Sequence, residues 1–259
     1  MLRAQLRPFR LHYFPRLRST NLHAAVMRKS HRLFAPAVVL TSNQMAGRGR
    51  GSNTWFSEAG SLTVTFALPI SESEPAHQLP LIAGLAARAA CAEITQTPDI
   101  LLKWPNDLLI NGKKLGGLLC QRIDKADLVG IGINVNTRLS SAPRAFRSQI
   151  TSLQKIARRS IDINAVLLSL ARHLRQVLRQ RGQNTFAAFV NEYRRYDALI
   201  GRRIEVLGDN GDRPLIGMCQ GIDASGRLLL RSRSQTHRII AGHVISRSFN
   251  SLRKNADII

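Results

Sequence analysis

Acidic residues are scarce in this chain. Its 259 residues carry 16 Asp and Glu against 38 Lys and Arg, a formal charge of +22, and no acid appears before Glu58. Such a field attracts polyanions or acidic partners and speeds their association. Aromatics are also few, at 5%. The basic residues are scattered over helices and loops with few aromatics among them, which argues against a specific nucleic-acid binder. No apolar run approaches the roughly 18 residues needed to cross a bilayer. No membrane span is therefore expected. Cys91, Cys120 and Cys219 are odd in number, far apart and set in apolar segments. That pattern speaks against a disulfide framework or a zinc site and fits free thiols in a reducing, cytoplasmic compartment.

With 44% hydrophobic residues, the composition is that of an ordinary globular protein. Its length accommodates one large domain, or a large one with a small one. The acid-free opening Met1–Arg10 has the composition of a mitochondrial transit peptide. However, Arg10–Phe14 reads as a strand and leaves too few residues for one.

The most informative stretch is Asn43–Ser57, in which Gly47, Gly49 and Gly51 alternate with Arg48 and Arg50. Glycines let main-chain N–H groups converge on an anion, and guanidinium forks suit phosphate or carboxylate oxygens. Apolar residues 35–40 precede the loop, and Ser61–Ala67 alternates after it, so the loop joins two strands. A dinucleotide fingerprint needs a third glycine where Ser52 stands and a helix starting there. A solvated surface loop is the competing reading, against which Trp55 and Phe56 weigh.

Ser19 or Thr20 is placed to cap a helix over Asn21–Lys29, and hydroxyls there can equally bind a small polar ligand. After Ser71–Ala76, Leu79–Thr95 reads as a buried helix ended by Pro98 and Asp99. Ile100–Ile110 folds around a Trp-Pro-Asn-Asp bend, Asn111–Gly112 marks a hairpin, and Lys113–Cys120 returns. Leu128–Val135 is a further buried strand with glycines that allow close approach. One mixed, mostly antiparallel sheet with helices on one side accounts for this α+β pattern. Asn136–Gln149 reads as a mobile loop. An amphipathic helix carries Ile163, Val166, Leu170 and Leu174 and is closed by Gly182, and another runs over Asn184–Tyr196. From Leu199, five short strands with turns at Asp209–Gly211 and Ala224–Gly226 suggest a small β-barrel. The expected partition is a catalytic domain over 1–198, a barrel over 199–250 and a tail over 251–259.

Ser19-Thr-Asn21, Gln44–Arg50 with Trp55, Lys103-Trp-Pro-Asn-Asp107, Lys113–Gly117 and Gly132-Ile-Asn134 occur in order. Together they resemble the biotin protein ligases over residues 10–250. The resemblance implies a class II synthetase-like, biotin ligase catalytic domain whose sheet is flanked by helices, followed by an SH3-like barrel. It implies an enzyme that uses Mg-ATP to activate biotin as biotinyl-5'-AMP, releasing pyrophosphate. Biotin then passes to a lysine of a biotin carboxyl carrier domain.

By this resemblance Arg48, Arg50 and Lys114 are the catalytic cations. Biotin meets Ser19, Thr20, Asn21, Gln44, Gly49, Trp55, Gly116 and Gly117 as well as those three. The nucleotide meets Gly47, Asn106 and Asn134 together with the cations, and Mg²⁺ is expected near Asn106. Asp107 caps the bend or serves the site. The chain departs from the family pattern at Gly51–Thr54, where a further Arg-Gly-Arg is common, and at Met45, Arg18 and His243. Only 18 residues precede Ser19, too few for an N-terminal DNA-binding module, so a ligase alone, without specific DNA binding, is expected. A homodimer is compatible with the sequence. The alternatives are a lipoate or octanoate ligase, disfavoured by the missing Arg-Arg-x-x-Gly-Gly-Gly loop, and a non-enzymatic polyanion-binding protein.

Overall fold

The computed structural model describes residues 2–71, 74–181, 186–208, 213–233 and 235–245. Its first strands are β1 (Arg10–Leu17), β2 (Ala37–Gln44), β3 (Gly47–Arg48), β4 (Thr54–Trp55) and β5 (Ser61–Pro69). They are followed by β6 (Leu101–Lys103), β7 (Asp107–Ile110), β8 (Lys113–Ile123) and β9 (Ala126–Asn134). The last five are β10 (Arg203–Leu207), β11 (Leu215–Ile222), β12 (Leu228–Ser232), β13 (Gln235–Ile239) and β14 (His243–Ile245). The helices are α1 (Leu2–Gln5), α2 (Thr20–Lys29), α3 (Leu79–Thr95), α4 (Arg144–Arg147), α5 (Leu153–Ala157), α6 (Ile163–Arg181) and α7 (Ala187–Arg195). The expected helix stop at Gly182, the turn at Asp209–Gly211 and the tail over 251–259 lie outside the described residues.

A seven-stranded sheet runs in the order β1-β2-β5-β9-β8-β7-β6. Its β1–β2 pair is parallel and the other neighbours are antiparallel. Helices were expected on one side and lie on both. Strand β5 shows why: every residue from Ser61 to Leu68 is buried. Leu62, Val64 and Phe66 enter the large core with α3 and α6, whereas Ala67 joins Ala24, Ala25 and Met27 of α2 in a second cluster. The alternation of β5 thus separates two buried faces rather than an inside from an outside.

Helix α2 starts where a cap is available. Ser19 has extended backbone angles, and its hydroxyl accepts from the Leu22 N–H. Helix α3 is apolar nearly all round because it is enclosed by the sheet and α6. The 136–149 segment, expected to be a loop, holds a 3₁₀ turn at Leu139–Ser141 and α4. Its end is tied to β8, since Lys114 N–H donates to the Gln149 carbonyl at 2.7 Å and Thr151 N–H to the Lys114 carbonyl at 2.9 Å.

The five strands expected after Leu199 form an antiparallel sheet in the order β13-β12-β11-β10-β14. Its inward residues, including Ile204, Val206, Cys219 and Leu230, belong to the same core as α3 and the main sheet. The three cysteines are free, and burial pushes the Cys91 and Cys219 thiols up to about 12. No described helix is long and apolar enough to cross a membrane.

Asp197 sits between α7 and β10, where Ala198 N–H donates to the Leu102 carbonyl. Its Oδ1 accepts from Leu199 N–H at 2.8 Å, while the buried Oδ2 has no partner. Burial raises this carboxyl to about 6, against the lowering effect of the Leu199 and Ile200 backbone N–H groups and of the Arg194 and Arg202 charges. A folded-state value above the unfolded one means that the folded chain holds the proton more tightly. The stabilisation is complete below the ordinary value near 4 and is lost as pH rises through about 6. The gap between about 6 and 3.8 corresponds to roughly 3 kcal/mol. Denaturant unfolding of wild type and Asp197→Asn across pH 4.5–7 is therefore expected to show the variant gaining about 2 kcal/mol relative to wild type as pH rises. A pH-independent difference would contradict the assignment.

Candidate functional site

The site is built on the α2 face of the main sheet. Residues directly opposite one another on paired strands share a face. Gly117 of β8 lies opposite Gly132 of β9, Gly132 opposite Thr63 of β5, and Thr63 opposite Thr41 of β2. One row across four strands thus carries two bare positions and two small hydroxyls. The next row on that face includes Gly130 opposite Thr65. The Thr65 hydroxyl donates to Thr20 Oγ1 at 3.0 Å, and a Cβ on Gly130 would lie 3.2 Å from the Asn21 amide. The N-terminus of α2 therefore closes one end of a nearly flat floor.

Ser19, Thr20 and Asn21 are all buried there. Gln44 Oε1, at the end of β2, accepts from Thr20 N–H at 2.9 Å and from its hydroxyl at 3.4 Å. Asn21 Nδ2 donates to Gln121 Oε1 at 3.0 Å, leaving its buried Oδ1 without a partner. Gly47 completes this corner, since a Cβ on it would lie 2.8 Å from Gln44 Nε2 and 2.5 Å from the Trp55 carbonyl. Donors and acceptors of mixed type are what a neutral, hydrogen-bonding ring requires.

At the other end stand the cations. Lys114 Nζ lies 2.7 Å from Asp107 Oδ1 as a close ion pair without the alignment of a hydrogen bond. The ammonium is 5.7 Å from the centroid of the Trp55 ring. The Trp55 indole rests on Gly132, where a Cβ would come within 2.5 Å of its Cε2. Its buried Nε1 has no partner. Gly117 offers the matching space for Lys114, as a Cβ there would meet Lys114 Cε at 3.3 Å and Asp107 Oδ1 at 3.3 Å. Gly116 faces the opposite way: its Cβ would strike the Gly132 carbonyl at 2.7 Å and Leu108 at 3.1 Å, on the core side.

Lys103, quoted above only as part of a motif, joins this cluster. Burial holds its ammonium below the usual lysine range, Asp107 opposes that shift, and the Lys114 charge adds to it. Two lysines thus share one carboxylate. Gly132 likewise received no role from the sequence. The signal for both was present in the motifs that contain them, but neither periodicity nor residue type revealed which face they serve.

The glycine-arginine loop forms a two-stranded ribbon, β3 with β4, that pairs Gly47 with Trp55 and Arg48 with Thr54. Gly49 N–H donates to the Asn53 carbonyl at 2.8 Å across its tip. Arg48 is exposed. Arg50 reaches the second sheet, where its Nη1 donates to the Gly242 carbonyl at 3.0 Å. Asn106 and Asn134 hold backbone: Asn106 Nδ2 donates to the Leu118 carbonyl at 2.7 Å, and Asn134 Nδ2 to the Thr151 carbonyl at 3.0 Å. Asn134 Oδ1 is buried without a partner. Among the described residues there is no cluster of three His, Cys, Asp or Glu side chains able to hold a metal alone.

The seat of Trp55 on Gly132 is directly testable. The chain has two tryptophans, and Trp104 is 2% exposed. Gly132→Ala is therefore expected to lift the half-buried Trp55 off the sheet and shift tryptophan emission to the red, a change absent when the substitution is made in Trp55→Phe. An unchanged spectrum would mean that the indole does not rest there.

Comparison with known proteins adds a second line of observation. The model of the biotin/lipoate A/B protein ligase family matches residues 13–137, and that of the biotin protein ligase C-terminal domain matches residues 199–247. The bifunctional ligase/repressor BirA of Bacillus subtilis is 31% identical over 80% of this chain, which spans 65% of that relative's length. The biotin–acetyl-CoA-carboxylase ligase of Paracoccus denitrificans is 30% identical over 88% of this chain and 97% of its own. A crystallised biotin protein ligase from Aquifex aeolicus, in complex with biotin and ATP, superposes with a TM-score of 0.81 at 28% identity. The match covers 91% of this chain and 97% of that one.

Proposed function

The chain belongs to the biotin protein ligase family, and from that premise we propose that it activates biotin with ATP and transfers it to a protein lysine. The observation that carries this reading is the pairing of a bare glycine floor with a lysine at one end and a neutral polar corner at the other. Such a floor accepts a thin, largely apolar acid lying flat. The corner of Ser19, Thr20, Asn21 and Gln44 takes the ureido ring, and Trp55 covers the chain.

In the first step a carboxylate oxygen of biotin attacks the α-phosphorus of ATP, and the bond to pyrophosphate breaks. Both reactants are anions, so fixed cations and N–H donors must offset the charge that builds up. We assign this task to Lys114, Arg48 and Arg50, with the backbone of Gly47 and Gly49. Lys114 acts as an electrostatic clamp that leaves Asp107 for the reacting oxygens. Magnesium would accompany the ATP phosphates, for which one or two carboxylates suffice, and Asp107 is the carboxylate suited to meet it. Asn106 holds the turn that presents Asp107, and Asn134 flanks the nucleotide. In the second step a lysine amine of a biotin carboxyl carrier domain attacks the acyl carbon, AMP leaves, and the amine loses a proton. Three free thiols support a reducing, cytoplasmic setting. Catalysis falls to residues 1–198, with 199–250 as the accessory domain.

The test is pyrophosphate release from ATP with biotin, lipoate or no acid, with and without Mg²⁺. Turnover with biotin alone supports the proposal. Turnover with lipoate alone moves the chain to the lipoate branch of the family, and silence with both acids removes the enzymatic reading.

A further inference from the structure

The main sheet has a free edge at its first strand. Among the described residues β1 is terminal in the strand order and pairs with β2 alone. Arg10 lies opposite Ala37 and donates its N–H to the Pro36 carbonyl. In a parallel ladder of that phase Arg10, His12 and Phe14 direct their backbone groups to β2, whereas Leu11 and Tyr13 turn theirs outward. An open groove of about 530 Å³ follows this edge, with Arg3, Arg7, Arg10, Leu11, His12 and Tyr13 among its lining residues. Its outer wall is α1 and the turn after it, which are fixed from beneath. Leu6 and Phe9 are buried, the Phe9 ring meets Phe66 edge-on at 5.0 Å, and Arg175 of α6 donates to the Arg7 carbonyl.

Charge in the groove is of one sign. Arg3, Arg7 and Arg10 are exposed, no lining residue is acidic, and the sequence carries no acid before Glu58. His12 Nε2 is buried without a partner. Exposed charges and a proline are the usual guards of an edge strand. Here they act selectively. A second copy of this chain would bring two sets of these arginines together, and Pro15, next in the outward phase, has no N–H with which to extend a pair. The same guanidiniums attract a strand that carries carboxylates. The outward N–H and C=O groups of Leu11 and Tyr13 separate this groove from a plain phosphate track, which needs cations but no ladder of backbone donors and acceptors.

We propose that this edge takes an extended acidic segment of a partner protein as an added strand. The segment pairs its backbone with Leu11 and Tyr13 and lays Asp or Glu side chains against Arg3, Arg7 and Arg10. Main-chain pairing supplies the affinity, and the arginines select the sign of charge. None of the lining residues belongs to the site assigned above, so the groove can be filled without blocking that site.

The test titrates the protein, followed by fluorescence anisotropy, with a labelled peptide of about six residues that alternates Glu and Val. Two counterparts of equal length alternate Glu with Pro and Lys with Val. The Glu-Val peptide is expected to bind, more weakly as salt is raised. Each counterpart is expected to bind at least about tenfold more weakly, because proline cannot donate to the ladder and lysine meets like charge. The double variant Arg3→Glu, Arg7→Glu is expected to lose about tenfold or more in affinity for the Glu-Val peptide. In wild type that peptide should slow hydrogen exchange at the Leu11 and Tyr13 N–H groups by about tenfold, a readout that needs no substitution. Equal binding of the Glu-Val and Glu-Pro peptides overturns strand addition. Absence of binding, or protection confined to other amides, overturns the proposal as well. Tighter binding of a single-stranded oligonucleotide of equal length overturns it in favour of a nucleic-acid track.

Discussion

Lys114→Met is expected to lower biotin-dependent pyrophosphate exchange by about 10²–10³-fold, the usual cost of deleting one preorganised charge stabiliser. In the resting site the Lys114 ammonium is 2.7 Å from Asp107 Oδ1. Removing it costs a cation at the reacting oxygens and also uncovers a carboxylate where two anions must meet. The defect should therefore exceed that of a simple lost contact. Lys114→Arg should rescue poorly, because a planar fork cannot occupy the compact space over Gly117. Exchange within about threefold of wild type for Lys114→Met would remove the lysine from the chemistry.

Trp104→Ala is expected to destabilise the protein by about 3–5 kcal/mol, the range for truncating a fully buried large aromatic. Trp104 is 2% exposed within the main core. Its indole N–H donates to the Gly226 carbonyl at 3.4 Å, in the turn between β11 and β12. The side chain thus ties the hairpin that carries Asp107 to the second sheet. Against a total stability of about 5–15 kcal/mol, such a loss should lower the melting temperature by roughly 6–20 °C. Calorimetry measures the effect. A shift below about 3 °C would show that the cavity collapses cheaply. Trp104→Phe keeps most of the volume and should recover most of the loss.

The sequence by itself determined what depends on near neighbours. The Asn111–Gly112 hairpin forms because both residues take positive φ, at 50° and 71°. Ser19 caps α2 through a contact three residues long, and Lys114 meets Asp107 because one hairpin carries both. Cys91 and Cys219 were legible as buried thiols from their apolar surroundings, whereas Cys120, in equally apolar company, is only partly buried. Tertiary structure decided what depends on enclosure and distance. Polar alternation in β5 reads as a solvent face, yet Thr63 and Thr65 are buried beneath α2 and pave the site floor. Periodicity reports polarity, while exposure depends on what later packs on that face. Arg88 illustrates the same limit: an arginine within α3 is 8% exposed because its guanidinium lies 3.5 Å from the Tyr196 ring centroid and donates to the Ile100 and Pro98 carbonyls. Neither pattern nor composition could place Arg50 against Gly242, 192 positions away. That contact exists only once two sheets share one core, since local sequence sets backbone preference whereas long-range closure is decided by the packing of the whole chain.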